Sequence, residues 1–271
     1  VNTTAADTST PSDLNASEYR ARGLYLHKSW DNMNYVSLLS MPDPTDSLMD
    51  MIATYQAVQN QKYLISMLVG IVADNVANDG GDMVNSIYSD VVAGSITDAM
   101  RPSASEIIDT AVTMGDMQEG LALIAMHSQT KAWLKKQNLI STVRPSDDAD
   151  FEVYDDSYRV VVDDSMPVTA GTNSPSYMTF LIGLGAIRYA VLEEAPGSPA
   201  FENDRDPASG NGGGRDIIHS RWNAVWHPGG ISQVGTPAGF SPTKAEWETA
   251  AFWDRVYNRK NVQIAVLEHN I

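Results

Sequence analysis

Leu48, Ile52, Tyr55, Ile65, Leu68 and Val72 recur at helical spacing, and the apolar stripe thins through the polar stretch from Gln59 to Lys62. No Gly or Pro interrupts Leu48 to Val69. The pattern predicts a helix from Ser47 to about Asn75, capped by Asp46 or Ser47, with Ser47 and Asp50 resembling a capping box. Asn78-Asp79-Gly80-Gly81 supplies the turn chemistry that ends it. At about 1.5 Å per residue such a helix is roughly 40 Å long. In a chain of this size it reads as a beam, although the same pattern suits a core helix of any α/β protein.

The segments around it are shorter. Val1 to Tyr19 is polar and reads as a flexible arm or loop. Tyr19 to Ser40 looks extended, with Leu24 and Leu26 alternating with Tyr25 and His27, until Met41-Pro42-Asp43-Pro44 breaks regular structure. Downstream, a helix is expected over Ser103 to Thr113, with Ser103 and Glu106 as its cap pair. A buried strand is expected over Leu121 to Met126 and a helix over Thr130 to Gln137, with Asn138 at its end. Val160 to Val162 reads as a strand followed by a turn at Asp163-Asp164. Tyr177 to Leu192 reads as one or two strands interrupted by Gly183 and Gly185. Ala200 to Gly214 reads as a mobile loop, and a strand rich in Trp and Ile lies within Ile217 to Ile231. A helix over Thr243 to Tyr257 and a strand over Val262 to Leu267 complete the chain. Strands and helices mix without a βαβ period, so the class is α+β. No internal repeat of about 20 to 50 residues is present.

Composition narrows the function more than the fold. Of 271 residues, 43% are hydrophobic and 19% charged, which supports an ordinary core. No apolar run approaches the roughly 18 residues that span a bilayer; Leu64 to Val72 is broken by Ser66 and Gly70, so no membrane role is expected. The absence of cysteine removes disulfides and thiolate chemistry and fits assembly in a reducing cytosol. The triplets Asn2-Thr3-Thr4 and Asn15-Ala16-Ser17 read as chance matches to the glycosylation signal. A net charge of −16 lacks the clustered cations of a nucleic-acid binder. It suits a wall that must not adhere to a polyanion, and it equally suits plain solubility. The chain begins at Val1, which points to processing or to missing upstream sequence, with no secretory signal visible.

Catalytic patterns are incomplete. Gly183-Leu184-Gly185 opens like a dinucleotide fingerprint but has Arg188 where the third Gly belongs, and Gly210-Asn211-Gly212 fails at Arg215. There is no phosphate loop, Gly-x-Ser-x-Gly elbow or His-Glu-x-x-His pair. His27, His127, His219, His227 and His269 are scattered. His219 and His227 could share one strand face, but about 26 Å apart, too far to share a metal. Eight carboxylates fall between Asp147 and Asp164, with Arg144 and Arg159 nearby. A cation site or a hydrolytic acid/base set at Asp155, Asp156, Asp163 and Asp164 is the sharp reading; turn and loop positions are the bland one. Trp222, Trp226, Trp247 and Trp253 could stack a ligand, or pack a core or interface. No catalytic, cofactor-binding or metal-binding residue is assigned.

Several segments in order resemble one family. They are Val72-Ala73-Asp74-Asn75 with Asp79-Gly80-Gly81-Asp82-Met83; Ile124-Ala125-Met126-His127-Ser128 with Trp133-Leu134 and Asn138-Leu139-Ile140; Val160 to Val168; Ile218-His219; Trp226-His227-Pro228-Gly229-Gly230 to Gly235; and Trp253-Asp254-Arg255-Val256 to Ile271. Together they look like the major capsid proteins of tailed bacteriophages, whose fold is named after phage Hong Kong 97. The match spans about Leu48 to Ile271, and it rests on joint order and spacing rather than on any one segment.

The resemblance implies an α+β phage capsid fold with a long spine helix, an extended loop, a peripheral domain and an axial domain. It divides the chain into an arm remnant and extended loop over 1–46, spine helix and peripheral domain over 47–127, axial domain over 128–235, and a return to the peripheral domain over 236–271. Ala16 to Ser40 would be the loop's returning arm. Only 46 residues precede the spine helix, fewer than the family's arm and outgoing loop strand require, so either the arm is short or upstream sequence is missing. The implied role is structural and not enzymatic: hexamers and pentamers closing into an icosahedral head around double-stranded DNA, held without sequence-specific binding. The implied location is the virion, assembled in the host bacterial cytoplasm, with portal, scaffolding and decoration proteins open as further partners. A cellular nanocompartment shell shares the same design and is the alternative; a carboxylate-dependent hydrolase is the alternative from another class.

Overall fold

Helix α1 (Pro44–Asn78) has 35 residues, about 52 Å at 1.5 Å per residue. The computed structural model describes residues 18–33, 44–143, 151–155, 157–193, 197–209 and 213–271. The helix starts earlier than the apolar stripe suggests because Pro44 fits its first turn, where the missing N–H leaves no bond unmade. Ser47 therefore lies inside the helix rather than before it, and its side chain, with the capping box expected of Ser47 and Asp50, lies outside the described residues. The stripe is real. Ile52, Ile65, Leu68 and Val72 are buried, and Met67 and Ile71 join them. The two halves differ: nearly every residue from Tyr63 to Asn75 is withdrawn from solvent, whereas Ile52 is the one fully buried side chain from Leu48 to Lys62. Among the described residues no helix is long and apolar enough to cross a membrane.

Among the described residues, fourteen strands and three further helices surround it. In chain order the first strands are β1 (Gly23–Met33), β2 (Val84–Ser86), β3 (Leu121–Met126), β4 (Ile140–Val143), β5 (Phe151–Tyr154), β6 (Tyr158–Val162) and β7 (Val168–Thr169). They are followed by β8 (Ser176–Gly183), β9 (Ile187–Val191), β10 (Phe201–Asp206), β11 (Arg215–Pro228), β12 (Ile231–Gln233), β13 (Trp253–Arg255) and β14 (Ile264–His269). The helices are α2 (Ala104–Val112), α3 (Ser128–Lys136) and the single turn α4 (Lys244–Trp247). Ser103 caps α2 by accepting from Glu106 N, as its sequence predicts. Past α3, Asn138 takes φ 58°, a left-handed conformation that Asn tolerates.

The larger sheet runs β2-β14-β8-β3-β6-β5-β4, with β7 beside β8. Both faces are covered, so β14 is a continuous apolar run. Ile264 and Val266 point toward the second half of α1, and Ala265 and Leu267 toward Ile107 and Ala111 of α2 and Leu134 of α3. Phe180 and Leu181 of β8 divide in the same way. The larger of these side chains, Ile264, Val266, Leu267, Phe180 and Leu181, each contribute about 2 kcal/mol when fully buried. The sheet takes strands from both sides of residues 127 and 235, so neither position separates one sheet from another.

The second sheet is built on β11. β1 pairs along eleven residues of one edge, and β10 and β9 lie end to end along the other. It packs on the first half of α1: Tyr55 meets Trp30 and Trp222 edge-on, and Gln56 Nε2 donates to Ser220 Oγ at 2.6 Å.

Two sequence expectations fail here. Ala200 to Gly214 is not wholly a loop, because Phe201–Asp206 forms β10. This strand is exposed on both faces and has no alternation to read; cross-strand charge pairs hold it, Arg215 with Asp206 at 3.3 Å and Arg221 with Glu202 at 2.8 Å. Thr243 to Tyr257 is not one helix. Thr243 and Glu246 form a capping box, but the helix stops after Trp247, a 3₁₀ turn spans Ala250–Phe252, and Trp253–Arg255 pairs with β12. In an unbroken helix Trp247 and Trp253 would project about 120° apart. The break lets both pack on α1.

Candidate functional site

The carboxylates singled out by sequence do not converge. Asp155 occupies the β5–β6 turn at φ 45°, and Asp163 follows β6 at its other end; a five-residue strand spans about 16 Å. Asp156, Asp147 and Arg144 lie outside the described residues. Asp163 accepts from Ser165 N at 2.8 Å and from Gln61 Nε2 of α1, so its oxygens serve a local turn and a helix contact. Asp164 lies 3.8 Å from His127 Nε2, and hydrogen bonding from Ser128 holds its carboxyl below the usual range. Glu152 is held low chiefly by its hydrogen bond from Lys131, with Lys135 at 3.5 Å. Arg159 stacks over Phe151. Among the described residues no group of three His, Asp or Glu side chains could hold a metal ion.

The histidines have separate structural duties. His27 is exposed on β1. His127 caps α3 by accepting from Gln129 N. His219 and His227 lie on one face of β11 as expected, the first 2.7 Å from Ser29 Oγ, the second stacked on Tyr19 at 4.6 Å. His269 is fully buried between Thr179 Oγ1 and the Asn270 carbonyl, each at 3.0 Å, and burial pushes it down to about 4. The tryptophans split in two. Trp247 and Trp253 pack edge-on at 5.6 Å in the core, whereas Trp222 faces Tyr55 and Trp226 faces Tyr189. The Gly183-Leu184-Gly185 stretch makes the turn from β8 into β9, not the strand-to-helix turn that a dinucleotide needs. Gly210 to Gly212 lie outside the described residues.

What the fold does assemble is a clamp at the end of α1 that sequence reasoning missed. Arg255 is bidentate to Asp82 at 2.7 and 3.1 Å and reaches Asp79 at 3.3 Å. Arg259 donates to the carbonyls of Asp82 and Val262 and to Thr113 Oγ1. Burial lowers its guanidinium to about 10, still charged at neutral pH. Asn75, in the last turn but one of α1, donates to Asp82 Oδ1 and accepts from Met83 N. The two arginines lie 146 to 177 residues from Thr113 and Asp82 in sequence, and the one local signal was the acidic, Gly-rich turn after the helix.

A second lock holds the loop before β8. Asp90 accepts from the backbone N–H groups of Thr172, Asn173 and Ser174 at 2.8 to 3.0 Å, which holds its carboxyl below the usual range. Gly171 is required there, since a Cβ would stand 2.2 Å from Tyr88 Oη.

The outer surface is rich in apolar contacts without partners in a single copy. Met51 and Val58 flank a shallow depression of about 430 Å³ on the first half of α1. Phe240 and Leu184 are each 82% exposed, and Phe240 lies against Tyr25. A rigid beam, two sheets locked to it and scattered exposed apolar side chains can make extended contacts with other chains.

No protein-family model matches the chain. It is 31% identical over 264 residues to the major capsid protein of Bacillus phage SPP1, covering 96% of this chain and 76% of that protein. Among solved structures, the capsid asymmetric unit of cyanophage Pam1 superposes with a TM-score of 0.55 at 10% identity, covering 100% of this chain and 82% of that one. The holo-SrpI encapsulin complex of Synechococcus elongatus superposes with a TM-score of 0.49 at 13% identity, covering 94% and 75%.

Proposed function

Because the chain belongs to the family of tailed-bacteriophage major capsid proteins, we propose that it assembles as hexamers and pentamers that close into an icosahedral head around double-stranded DNA. The observation carrying this reading is the 31% identity to the SPP1 protein across 96% of the chain. The superposition on the Pam1 capsid supports the α+β capsid fold.

The geometry supplies a mechanical rationale. In this proposal the axial unit takes in the larger sheet with α2 and α3 and the peripheral unit takes in α1 with the second sheet, which redraws the boundaries at 127 and 235 expected from the sequence, while β1 serves as the returning arm of the extended loop. The Arg255 and Arg259 clamp ties α1 to the strand that re-enters the larger sheet, so load on one unit passes to the other. Each subunit offers unlike edges to its neighbours, and such heterologous contacts close into rings by rotation. A wall with net charge −16 does not trap DNA packed against it. The role proposed is structural, and Asp155 and Asp163, at opposite ends of β6, do not form a paired acid/base set. Assembly in the host cytoplasm, with portal, scaffolding and decoration proteins as further partners, belongs to the same proposal.

Electron microscopy of the purified full chain tests it. Closed particles far larger than one subunit are expected, and a protein that stays monomeric under assembly conditions overturns the reading. Particles holding a cargo peptide and no DNA would support a nanocompartment shell instead.

A further inference from the structure

A cavity of about 340 Å³ opens beside the β8–β9 turn, lined by Tyr19, Arg188, Tyr257, Asn261 and Gln263 and by the Gly229-Gly230 turn. Arg188 of β9 stands directly opposite His227 of β11, so both side chains leave the sheet on the same face. Tyr19 lies flat on the His227 ring, with 5° between planes, and Tyr257 meets Tyr19 edge-on at 5.2 Å. Two aromatic rings thus wall a space that holds a guanidinium, tyrosine hydroxyls and carboxamides.

The charge in this space is unbalanced. Arg20, Arg101, Arg205, Arg215, Arg221 and Arg255 each have a carboxylate within 4.0 Å. Arg188 has none among the described residues, nor have Arg22, Arg159 and Arg259; Arg159 stacks over Phe151 and Arg259 is spent on two carbonyls and a hydroxyl, whereas Arg188 faces the cavity. No lining residue is Asp or Glu, although the chain has 34 acidic residues. His227 Nδ1 is buried without a hydrogen-bond partner. His227 is held below its ordinary range by burial first and by the Arg188 charge second. Leu184, 82% exposed, lies at the rim.

We propose that this cavity receives an Asp or Glu side chain from a second copy of the chain, as an inter-subunit ion pair with Arg188. The inference rests on the shell reading above. A neighbouring copy is the fitting source because each carries 34 acidic against 18 basic side chains and so presents carboxylates in surplus. A nucleic-acid phosphate is disfavoured, since phosphate binding builds on several cations and this chain offers one here against a net charge of −16. Once a neighbouring copy covers the cavity, the pair is screened less than it would be on open surface.

The test uses the full chain, wild type and with Arg188→Lys or Arg188→Glu. Heavy-nitrogen-labelled and unlabelled Arg188→Lys protein are mixed, assembled and treated with a carbodiimide, which joins an amine to a carboxylate in contact with loss of water. Peptides joining residue 188 of one isotope to an Asp or Glu of the other are the expected result. The Arg188→Glu substitution is expected to lower the share of subunits sedimenting as shells at least tenfold, while the dissociated subunit melts as wild type does. Cross-links from residue 188 confined to one copy, or none in assembled particles, overturn the proposal whatever the assembly yield. So does Arg188→Glu protein that assembles as wild type, including one that assembles normally but retains less DNA. If the charge reversal prevents folding, the lysine cross-link decides alone. Wild-type protein that forms no shells fails the function reading, and is recognised before any variant is compared.

Discussion

Trp253 Nε1 donates a hydrogen bond to the Trp247 carbonyl oxygen at 2.7 Å, directly over Gly70 of α1. A Cβ at position 70 would stand 1.8 Å from that oxygen and 2.4 Å from that nitrogen. The glycine is the reason the beam and the broken 243–257 segment approach so closely.

The Gly70→Ala substitution is therefore expected to destabilise the subunit by about 3 kcal/mol, the upper part of the range for overpacking. In an exposed helix the same change would stabilise by about 1 kcal/mol, so the sign alone separates the two cases. Urea unfolding of the dissociated subunit measures it, and a stabilised variant would contradict the packing described.

Arg259→Met removes a buried guanidinium that serves two carbonyls and a threonine hydroxyl. A loss of about 3 kcal/mol is expected, because the buried Val262 carbonyl and the part-buried Asp82 carbonyl and Thr113 hydroxyl lose their donor. Unfolding midpoints of variant and wild type, compared at pH 7, check it.

His269 makes stability depend on acid. Its folded pKa is about 4 against an ordinary 6.5. The unfolded chain therefore binds this proton more readily, so the contribution is complete above pH 6.5 and is lost as pH falls to about 4. The amount is about 3 kcal/mol. Between pH 7 and pH 4 the wild type should lose more stability than His269→Gln by up to that amount; equal losses would show that His269 is not the group responsible.

Asp90→Ala should free the 171–174 loop without unfolding the molecule. Its carboxylate holds three successive backbone N–H groups. Hydrogen exchange at Thr172, Asn173 and Ser174 is expected to accelerate at least tenfold, with exchange in β14 unchanged. Since the carboxyl is held low, wild-type protection at these amides should persist at neutral pH and fall away once the pH drops below its depressed pKa.

Elements whose signals are local were legible from the residues. The stripe on α1, the Ser103 cap on α2, the apolar run of β3 and the Asn138 stop each depend on neighbours within one or two turns. β10 was not legible, because an exposed strand held by Arg215 and Arg221 carries no hydrophobic period. Nor was the break after Trp247, since helix propensity there yields to the packing of two tryptophans on Gly70.

The candidate surfaces divide in the same way. The acidic run from Asp147 to Asp164 drew notice as sequence, yet its described members are spent on turns, Lys131 and Gln61. Arg255 and Arg259 had no role of their own legible in the sequence, and their importance comes from partners 146 or more residues away.

By itself the sequence determined the α+β class, the long helix and, through ordered segments from Val72 to Ile271, the resemblance to a phage capsid subunit. Only the tertiary structure decided which strands share a sheet, where α1 is clamped and that Arg188 faces a cavity without a carboxylate. Periodicity and capping are written in contiguous residues, whereas strand pairing and charge pairing depend on which distant segments the packing of the core brings within a few ångströms.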